Sequence, residues 1–402
     1  MATLIRQVIL KNFKSISTCR VDLRDISLLV GPNGAGKSNF IDGFRLISDA
    51  LNSTLEYAIR QRGGINEVRR RSGGHPTHFA ISLRLNLGNG MNGHYALRVG
   101  AKPEGAFTVQ REQATVSKEG LTDAFFVVED GNVINASEEF QTLRPKVESD
   151  RLYLTSISGV AEFRVLFDAL SGMSFYNIHP EPIKELQPHD SGDRLDRNGW
   201  NLAAVIKRLR EDQPENLQRI QEYLKQIVPG IEEVSHKSYG PRETLEFRQA
   251  VQGQSHPWRF HAAYMSDGTL RSLGILTALF HQTVTEGKSI PFVAIEEPEI
   301  TIHPAAASII MDALFEASKK EQVLATTHSP DLLDHPDIKS DSILAVQNIE
   351  GETQILPVDE AAVSAIRESL YTAGDLLRVN QLTPNSKLKP KRISDRDLFG
   401  QS

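Results

Sequence analysis

The run Gly31-Pro32-Asn33-Gly34-Ala35-Gly36-Lys37-Ser38 fits the pattern G-x-x-x-x-G-K-[ST] of a phosphate-cradling loop. Its glycines let the backbone curl around a phosphate. Amide groups at the start of a following helix then point at that phosphate. Lys37 would reach the β- and γ-phosphates of a nucleotide, and the Ser38 hydroxyl would ligate Mg²⁺. Asn33, Gly34, Gly36, Lys37 and Ser38 are therefore the expected nucleotide-binding residues. A chance Gly-rich turn would lack the flanking pattern. Residues 26–30 read as a buried strand, and 39–51 carry Phe40, Ile41, Phe44, Leu46 and Ile47 at a spacing that suits a packed helix.

Further pieces follow in a fixed order. Ser266-Asp267-Gly268-Thr269-Leu270-Arg271 sets a Ser and a Gly at a helix start, which makes a second anion site. Alone, it reads as a plain capped helix. Phe292-Val293-Ala294-Ile295 would drive a strand into the core, and Glu296-Glu297-Pro298-Glu299 then stand at its carboxyl end, where ligands bind in open α/β sheets. One acid can hold Mg²⁺ and the next can polarise the attacking water. Glu296 is assigned to the metal and Glu297 to the water; a solvated acidic turn is the bland alternative. Ile302-His303-Pro304 comes next, then Ala325-Thr326-Thr327-His328-Ser329-Pro330. His328 ends an expected strand, where its imidazole would reach the γ-phosphate or the water. Singly, either His is an ordinary loop residue. Behind a phosphate loop and in this order, His328 is the better catalytic candidate.

These groups need elements to hold them. The chain has 402 residues, 40% hydrophobic and 24% charged, which is ordinary for a globular protein and allows two or three domains. A net charge of −6 gives no global basic field for nucleic acid. The lone Cys19 excludes an internal disulfide and suits a reducing compartment. No apolar run is long enough for a membrane span, so a cytoplasmic protein with no membrane partner is expected. Residues 4–10 read as an opening strand, 11–15 as its turn and 21–23 as the hairpin partner. Short alternating stretches over 79–128 predict an antiparallel meander. Helical faces recur over 159–230. Short strands return between 234 and 260, and then come a helix over 266–285, a strand at 292–295, a helix over 304–319 and strands at 323–326 and 343–346. The tail 383–402 is polar and basic and is expected to be mobile. Arg69-Arg70-Arg71 would face a phosphate backbone, an acidic partner or solvent.

The order of phosphate loop, Ser-x-Gly signature, apolar strand with paired acids and strand ending in His resembles the ABC-type ATPase head. Leu10-Lys11-Asn12-Phe13-Lys14-Ser15 resembles its RecF, SMC and OLD branch. Ile295-Glu296-Glu297-Pro298-Glu299 with His303-Pro304 is similar to stand-alone bacterial ATPases of that branch, many linked with phage defence. The resemblance implies two subunits with ATP between them, in which Ser266 and Gly268 bind the γ-phosphate held by the other subunit's loop. Two departures stand out. Glu296 replaces the Asp of most ABC heads, and no metal-contacting Gln can be assigned between Ser38 and Ser266. A coiled-coil arm is also missing there.

The expected fold is α/β, an ABC-type P-loop ATPase head with an antiparallel β lobe and a helical insertion. Its parts are 1–158 with the P-loop and the β lobe, 159–230 as the insertion, 231–382 with signature, acids and His, and 383–402 as the tail. The expected function is hydrolysis of ATP, with Mg²⁺, by a homodimer or higher homo-oligomer that controls an effector protein, a nuclease or toxin, in defence against phage. One rival is a DNA-binding repair ATPase using Arg69 to Arg71 and the tail. Another is an OLD-like nuclease, for which Asp395-Arg396-Asp397 is a lone D-x-D. A transporter ATPase fits the opening motif and the long insertion poorly.

Overall fold

The computed structural model describes residues 5–72, 76–138, 145–147, 151–281, 292–388 and 392–400. The chain forms two compact units. The first comprises Met1–Met173, Lys339–Arg367 and Gln381–Ser402; the second comprises Ser174–Ile338 and Glu368–Asn380. The stretch 159–230, read above as one insertion, is thus divided between them. Its first long helix packs in the first unit, and a short strand beginning at Ser174 pairs inside the second.

The first unit opens with the hairpin β1 (Ile5–Phe13) and β2 (Ile16–Asp22). Lys11, Asn12 and Phe13, expected as a turn, instead extend β1, and Phe13 lies opposite Ile16. The reason is burial: the Phe13 ring is fully enclosed, edge-on to Phe79 at 5.7 Å. Next come β3 (Ile26–Val30), every residue buried, α1 (Lys37–Asn52), and the short helices α2 (Leu55–Arg60) and α3 (Ile65–Val68). The meander follows as β4 (His78–Gly88), β5 (Met91–Ala101), β6 (Phe107–Lys118), β7 (Ala124–Glu129) and β8 (Asn132–Ala136). With the hairpin it makes one antiparallel sheet in the order β2-β1-β4-β5-β6-β7-β8. The helices α4 (Tyr153–Ile157) and α5 (Ala161–Ser171) complete this part.

The second unit contains β9 (Ser174–Tyr176), α6 (Pro180–Lys184), β10 (Gln187–Pro188), α7 (Leu202–Asp212) and α8 (Pro214–Ile227). A small antiparallel sheet, in which β12 (Arg242–Gln249) pairs with β10, β11 (Ile231–Tyr239) and β13 (Trp258–His261), precedes α9 (Asp267–Phe280). Of the expected helix 266–285, residues 282–285 lie outside the described residues. Then come β14 (Phe292–Glu296), α10 (Pro304–Ser318), β15 (Gln322–Thr327) and α11 (Pro330–Leu333). Strand β14 runs parallel to β9 on one side and β15 on the other, with Ala294 level with Phe175 and Leu324. A buried parallel strand of this kind reads as an unbroken apolar run, which is why 292–295 is legible from sequence.

Returning to the first unit, β16 (Ile343–Ile349) lies parallel to β3 and antiparallel to β17 (Glu352–Pro357), and α12 (Glu360–Arg367) follows. Helix α13 (Ala373–Arg378) belongs to the second unit. The chain then reaches α14 (Asp395–Phe399) in the first. This overturns the expectation of a mobile tail. Ile393, Leu398 and Phe399 are buried in one cluster with Ile9, Ala80 and Ala96 of the antiparallel sheet. Phe399 lies under the guanidiniums of Arg98 and Arg111, and Gln113 donates to its carbonyl at 2.9 Å. Polar residues on that sheet face therefore bind the tail rather than water. The D-x-D pair is also used structurally: Asp395 pairs with Arg98, while Asp397 closes a capping box with Ser394 and pairs with Arg20.

Leu398→Ala should lower the local stability of the sheet by about 2–5 kcal/mol, read as lost amide-exchange protection across β4 to β6. Unchanged protection would show that the tail does not hold the sheet.

Candidate nucleotide site

Strand β3 ends at Val30 and the loop runs from Gly31 into α1 without a break. Gly36 is the N-cap of α1, with φ 104°, and no side chain caps the helix. A left-handed residue here favours glycine, and space demands it too. A Cβ on Gly36 would lie 2.1 Å from Thr353 Oγ1, and one on Gly31 would lie 2.1 Å from the Val346 carbonyl oxygen. A relay of hydroxyls fixes this contact. Thr353 Oγ1 donates to the Ala35 carbonyl at 2.9 Å, so Ser15 Oγ must donate to Thr353, and Asn39 Nδ2 donates to Ser15. Lys37 is buried, with Nζ donating to the carbonyls of Gly31 at 2.7 Å and Pro32 at 3.1 Å. Asn33, Gly34 and Ser38 are exposed at the loop crest and the first helical turn. A cradle with no room for Cβ atoms, an uncapped helix start and a buried ammonium fit a phosphate chain.

Beside that helix start lies a cavity of ≈ 420 Å³, lined in part by Lys14, Asn39, Arg69, Arg70, Arg71 and Gly351. Behind it, buried Asp42 gathers Lys14 at 2.6 Å, Arg45 at 2.6 Å and Arg62 at 3.0 Å. Burial pushes the Asp42 carboxyl up, but the Arg62, Arg45 and Lys14 charges outweigh it and hold its pKa below the ordinary value. The three arginines do not act as one open patch. Arg70 donates to the Ser15 carbonyl, Arg69 donates to Asn66 and to the Pro76 carbonyl, and only Arg71, paired with Glu67, is mainly exposed.

In the second unit, β14 delivers its acids as the pattern requires. The Glu297 backbone is left-handed, φ 47°, a conformation that costs a non-glycine residue about 1–3 kcal/mol. Its amide donates to Thr326, to the carbonyl at 3.1 Å and the hydroxyl at 3.0 Å. Its carboxylate lies 3.6 Å from His328 Nδ1. Glu299, quoted above without a role, is the support of this pair. Its Oε1 accepts from Thr327 Oγ1 at 2.7 Å and from the His328 amide at 3.1 Å. His328 Nδ1 and Glu299 Oε2 are buried without a hydrogen-bond partner among the described residues. Such orphans are costly unless function uses them. Glu296 accepts from Arg197 at 3.0 Å, a partner that sequence spacing gave no means of finding. Arg271, the last residue of the quoted signature run, donates to the Glu297 carbonyl at 3.0 Å.

Ser266 is the N-cap of α9, its Oγ accepting from the Thr269 amide at 3.2 Å. Gly268 is close-packed, since a Cβ there would lie 2.6 Å from the Thr301 carbonyl. His303 caps α10, its Nδ1 accepting from the Ala305 amide, which satisfies it as a structural residue. Thus Asn33, Gly34, Gly36, Lys37 and Ser38 are gathered in the first unit. Ser266, Gly268, Glu296, Glu297 and His328 are carried by the second. A carboxylate beside an imidazole can accept and pass a proton from water.

Lys37→Ala removes the buried ammonium of the cradle. ATP affinity should fall at least about tenfold, from ~1.5–3 kcal/mol for a charge-assisted bond; calorimetry showing unchanged affinity would refute the assignment of the loop.

Residues 161–334 match a family model described as "AAA domain, putative AbiEii toxin, Type IV TA system", and residues 4–152 match one described as "AAA ATPase domain". No curated protein matches the sequence. Among solved structures, an SMC head bound to the C-terminal winged-helix domain of ScpA is similar, at TM-score 0.56 and 15% identity, over 89% of this chain and 99% of that one. An SMC head with an extended coiled coil from Pyrococcus furiosus, at 16% identity, covers 92% of this chain and 100% of its own, with TM-score 0.49. At such identity the first likeness speaks to the fold alone, and the second adds no weight. The α/β fold with its antiparallel sheet is that of an ABC-type SMC head. Together, the two family models and the shared fold support an ABC/SMC-like AAA ATPase.

Proposed function

We propose that this chain hydrolyses ATP to ADP and phosphate, with Glu297 as the base for the attacking water and His328 as its partner. The observation that carries the reading is the Glu297 backbone. A strained left-handed residue at the end of a buried strand aims its carboxylate at an imidazole 3.6 Å away. Strain of this kind is retained where it serves function. In the first unit, the triphosphate would lie along Gly31 to Ser38, and the rest of the nucleotide in the cavity beside Asn39. Lys37 would turn from the loop carbonyls to the phosphates. Ser38 and Glu296 are the residues that would hold Mg²⁺, which neutralises phosphate charge when bound. At Glu296 the metal would compete with Arg197.

The second part of the proposal is that two copies close around ATP, with Ser266 and Gly268 of one facing the γ-phosphate on the other. Exposure of Ser266 at the start of the 14-residue helix α9 supports this. Opening and closing would then control a partner protein that binds the two states unequally. An SMC head of the same fold was solved with a protein domain bound, and the model matching 161–334 names a toxin of a toxin–antitoxin system. Both favour an effector protein, a nuclease or toxin, over DNA, and a role in defence against phage. The tail acids are engaged in folding, which removes the feature that favoured a nuclease within this chain.

Glu297→Gln should bind ATP, hydrolyse it at least ~100-fold more slowly and accumulate as an ATP-bound dimer on size-exclusion chromatography. Normal turnover in this variant, with loss in Glu296→Gln, would reverse the two roles. Ser266→Arg should leave ATP binding to the single subunit intact and abolish turnover. Full activity of Ser266→Arg would mean that the sites are not shared between copies.

A further inference from the structure

Arg271 lies one turn into α9 and is 4% exposed. A buried guanidinium normally sits against a carboxylate in bidentate fashion, yet this one donates to main-chain carbonyls. Nη1 donates to Ile178 at 2.7 Å, while Nη2 donates to Glu296 at 3.3 Å and to Glu297 at 3.0 Å. Its Nε is buried without a partner among the described residues. An arginine placed only to fill the core would be replaced at little loss by an apolar side chain. This one directs its Nη2 to the two carbonyls that flank the Glu297 α-carbon.

Those bonds define what Glu297 can do. Thr326 holds the amide of Glu297 from β15. Arg271 holds the carbonyl before that amide and the carbonyl after it. Pro298 follows and offers no amide of its own. Both peptide planes around the left-handed residue are therefore fixed by partners from two other elements, and the direction of its side chain follows. The same guanidinium faces the carboxylates of Glu299, Glu297 and Glu181, whose charges oppose the lowering of its pKa by burial. It is rooted in the helix whose first turn carries Ser266 and Gly268.

We propose that Arg271 is a positioning residue that locks the Glu297 backbone in its left-handed state and ties that state to the signature helix α9. A shift of α9 at its Ser266 end then moves the guanidinium, and with it the aim of the base. Contact at the signature and readiness of the acid become one event within one unit. This inference rests on the hydrolytic reading of Glu297 and adds a residue with no contact to substrate.

The test uses the full chain with Arg271→Met, which keeps the bulk, Arg271→Lys, which keeps charge, Glu297→Gln, and the double variant Arg271→Met with Glu297→Gln. Turnover and KM for ATP are measured with amide exchange over 296–299. Expected is a fall in kcat of about 10- to 100-fold in Arg271→Met, typical of a misaimed catalytic group. KM should be nearly unchanged, and exchange at 296–299 faster. Arg271→Lys should restore part of kcat, since one ammonium can still reach a carbonyl. The double variant should be no slower than Glu297→Gln alone, because both changes disable one group. Multiplying losses in the double variant, or wild-type kcat in Arg271→Met beside an inactive Glu297→Gln, would overturn the inference and leave the hydrolytic reading standing. Full turnover in Glu297→Gln would overturn that reading, and the proposed role of Arg271 with it.

Discussion

Thr353 leaves no space for a side chain at residue 36, and the phosphate loop depends on that contact. The hydroxyl that would strike a Cβ at 2.1 Å is the same one that donates to Ala35. Position 36 must therefore be glycine twice over, for space and for φ 104°. The contact also ties together three distant parts of the first unit. Thr353 stands in β17, Ser15 in the β1–β2 turn and Asn39 in α1, and the three side chains meet in one relay. The loop has its shape only when the opening hairpin and a strand from the far end of the chain are both in place. Closing a long stretch costs only slowly more entropy with length, so the chain can build the second unit in between at modest expense.

The second unit solves a similar problem with charge. Strand β14 is buried to Ile295, and the next residues are acids. Burying carboxylates is costly unless partners are supplied. Arg197 meets Glu296, Thr327 and the His328 amide meet Glu299, and Thr326 with Arg271 fixes the Glu297 backbone. The partners come from three places: the loop before α7, the end of β15 and the helix α9. Parallel pairing of β14 with β15 places Glu296 level with Thr326. The register of the strands therefore decides which groups the acids meet.

What the sequence revealed divides along the same line. The strand–loop–helix around Gly31 to Ser38 and the apolar run before Glu296 are local patterns, and local patterns survive in a single sequence. The antiparallel meander was legible from alternation, and its extent was slightly longer than read. Thr353, Arg197 and the role of Arg271 were not legible, because their partners lie far off in sequence and no spacing rule connects them. Glu299 was in view but looked like one more acid of a turn. The tail misled for a different reason. Its Ile393, Leu398 and Phe399 are too few and too scattered to show a helical period, and the sheet face that buries them reads as a solvent face because Lys11, Ser82, Arg98 and Gln113 lie on it.

Charge alone is thus a poor guide to chemistry in this chain, and completeness of partners is a better one. Arg70 was marked by sequence as a group that could touch a phosphate backbone, and Asp395 with Asp397 as the lone D-x-D of a nuclease reading. In the fold each is engaged: Arg70 with the Ser15 carbonyl, Asp395 with Arg98, and Asp397 with a helix cap and Arg20. Folding has used them, though pairs this exposed contribute only about 0–1 kcal/mol each. His328 is different. Its backbone is held by Glu299, but its Nδ1 stops 3.6 Å and 3.7 Å short of the nearest carboxylates. A buried ring nitrogen left without a bond is costly unless function uses it. The same physical accounting that retires the tail acids therefore favours the role proposed for the end of β15.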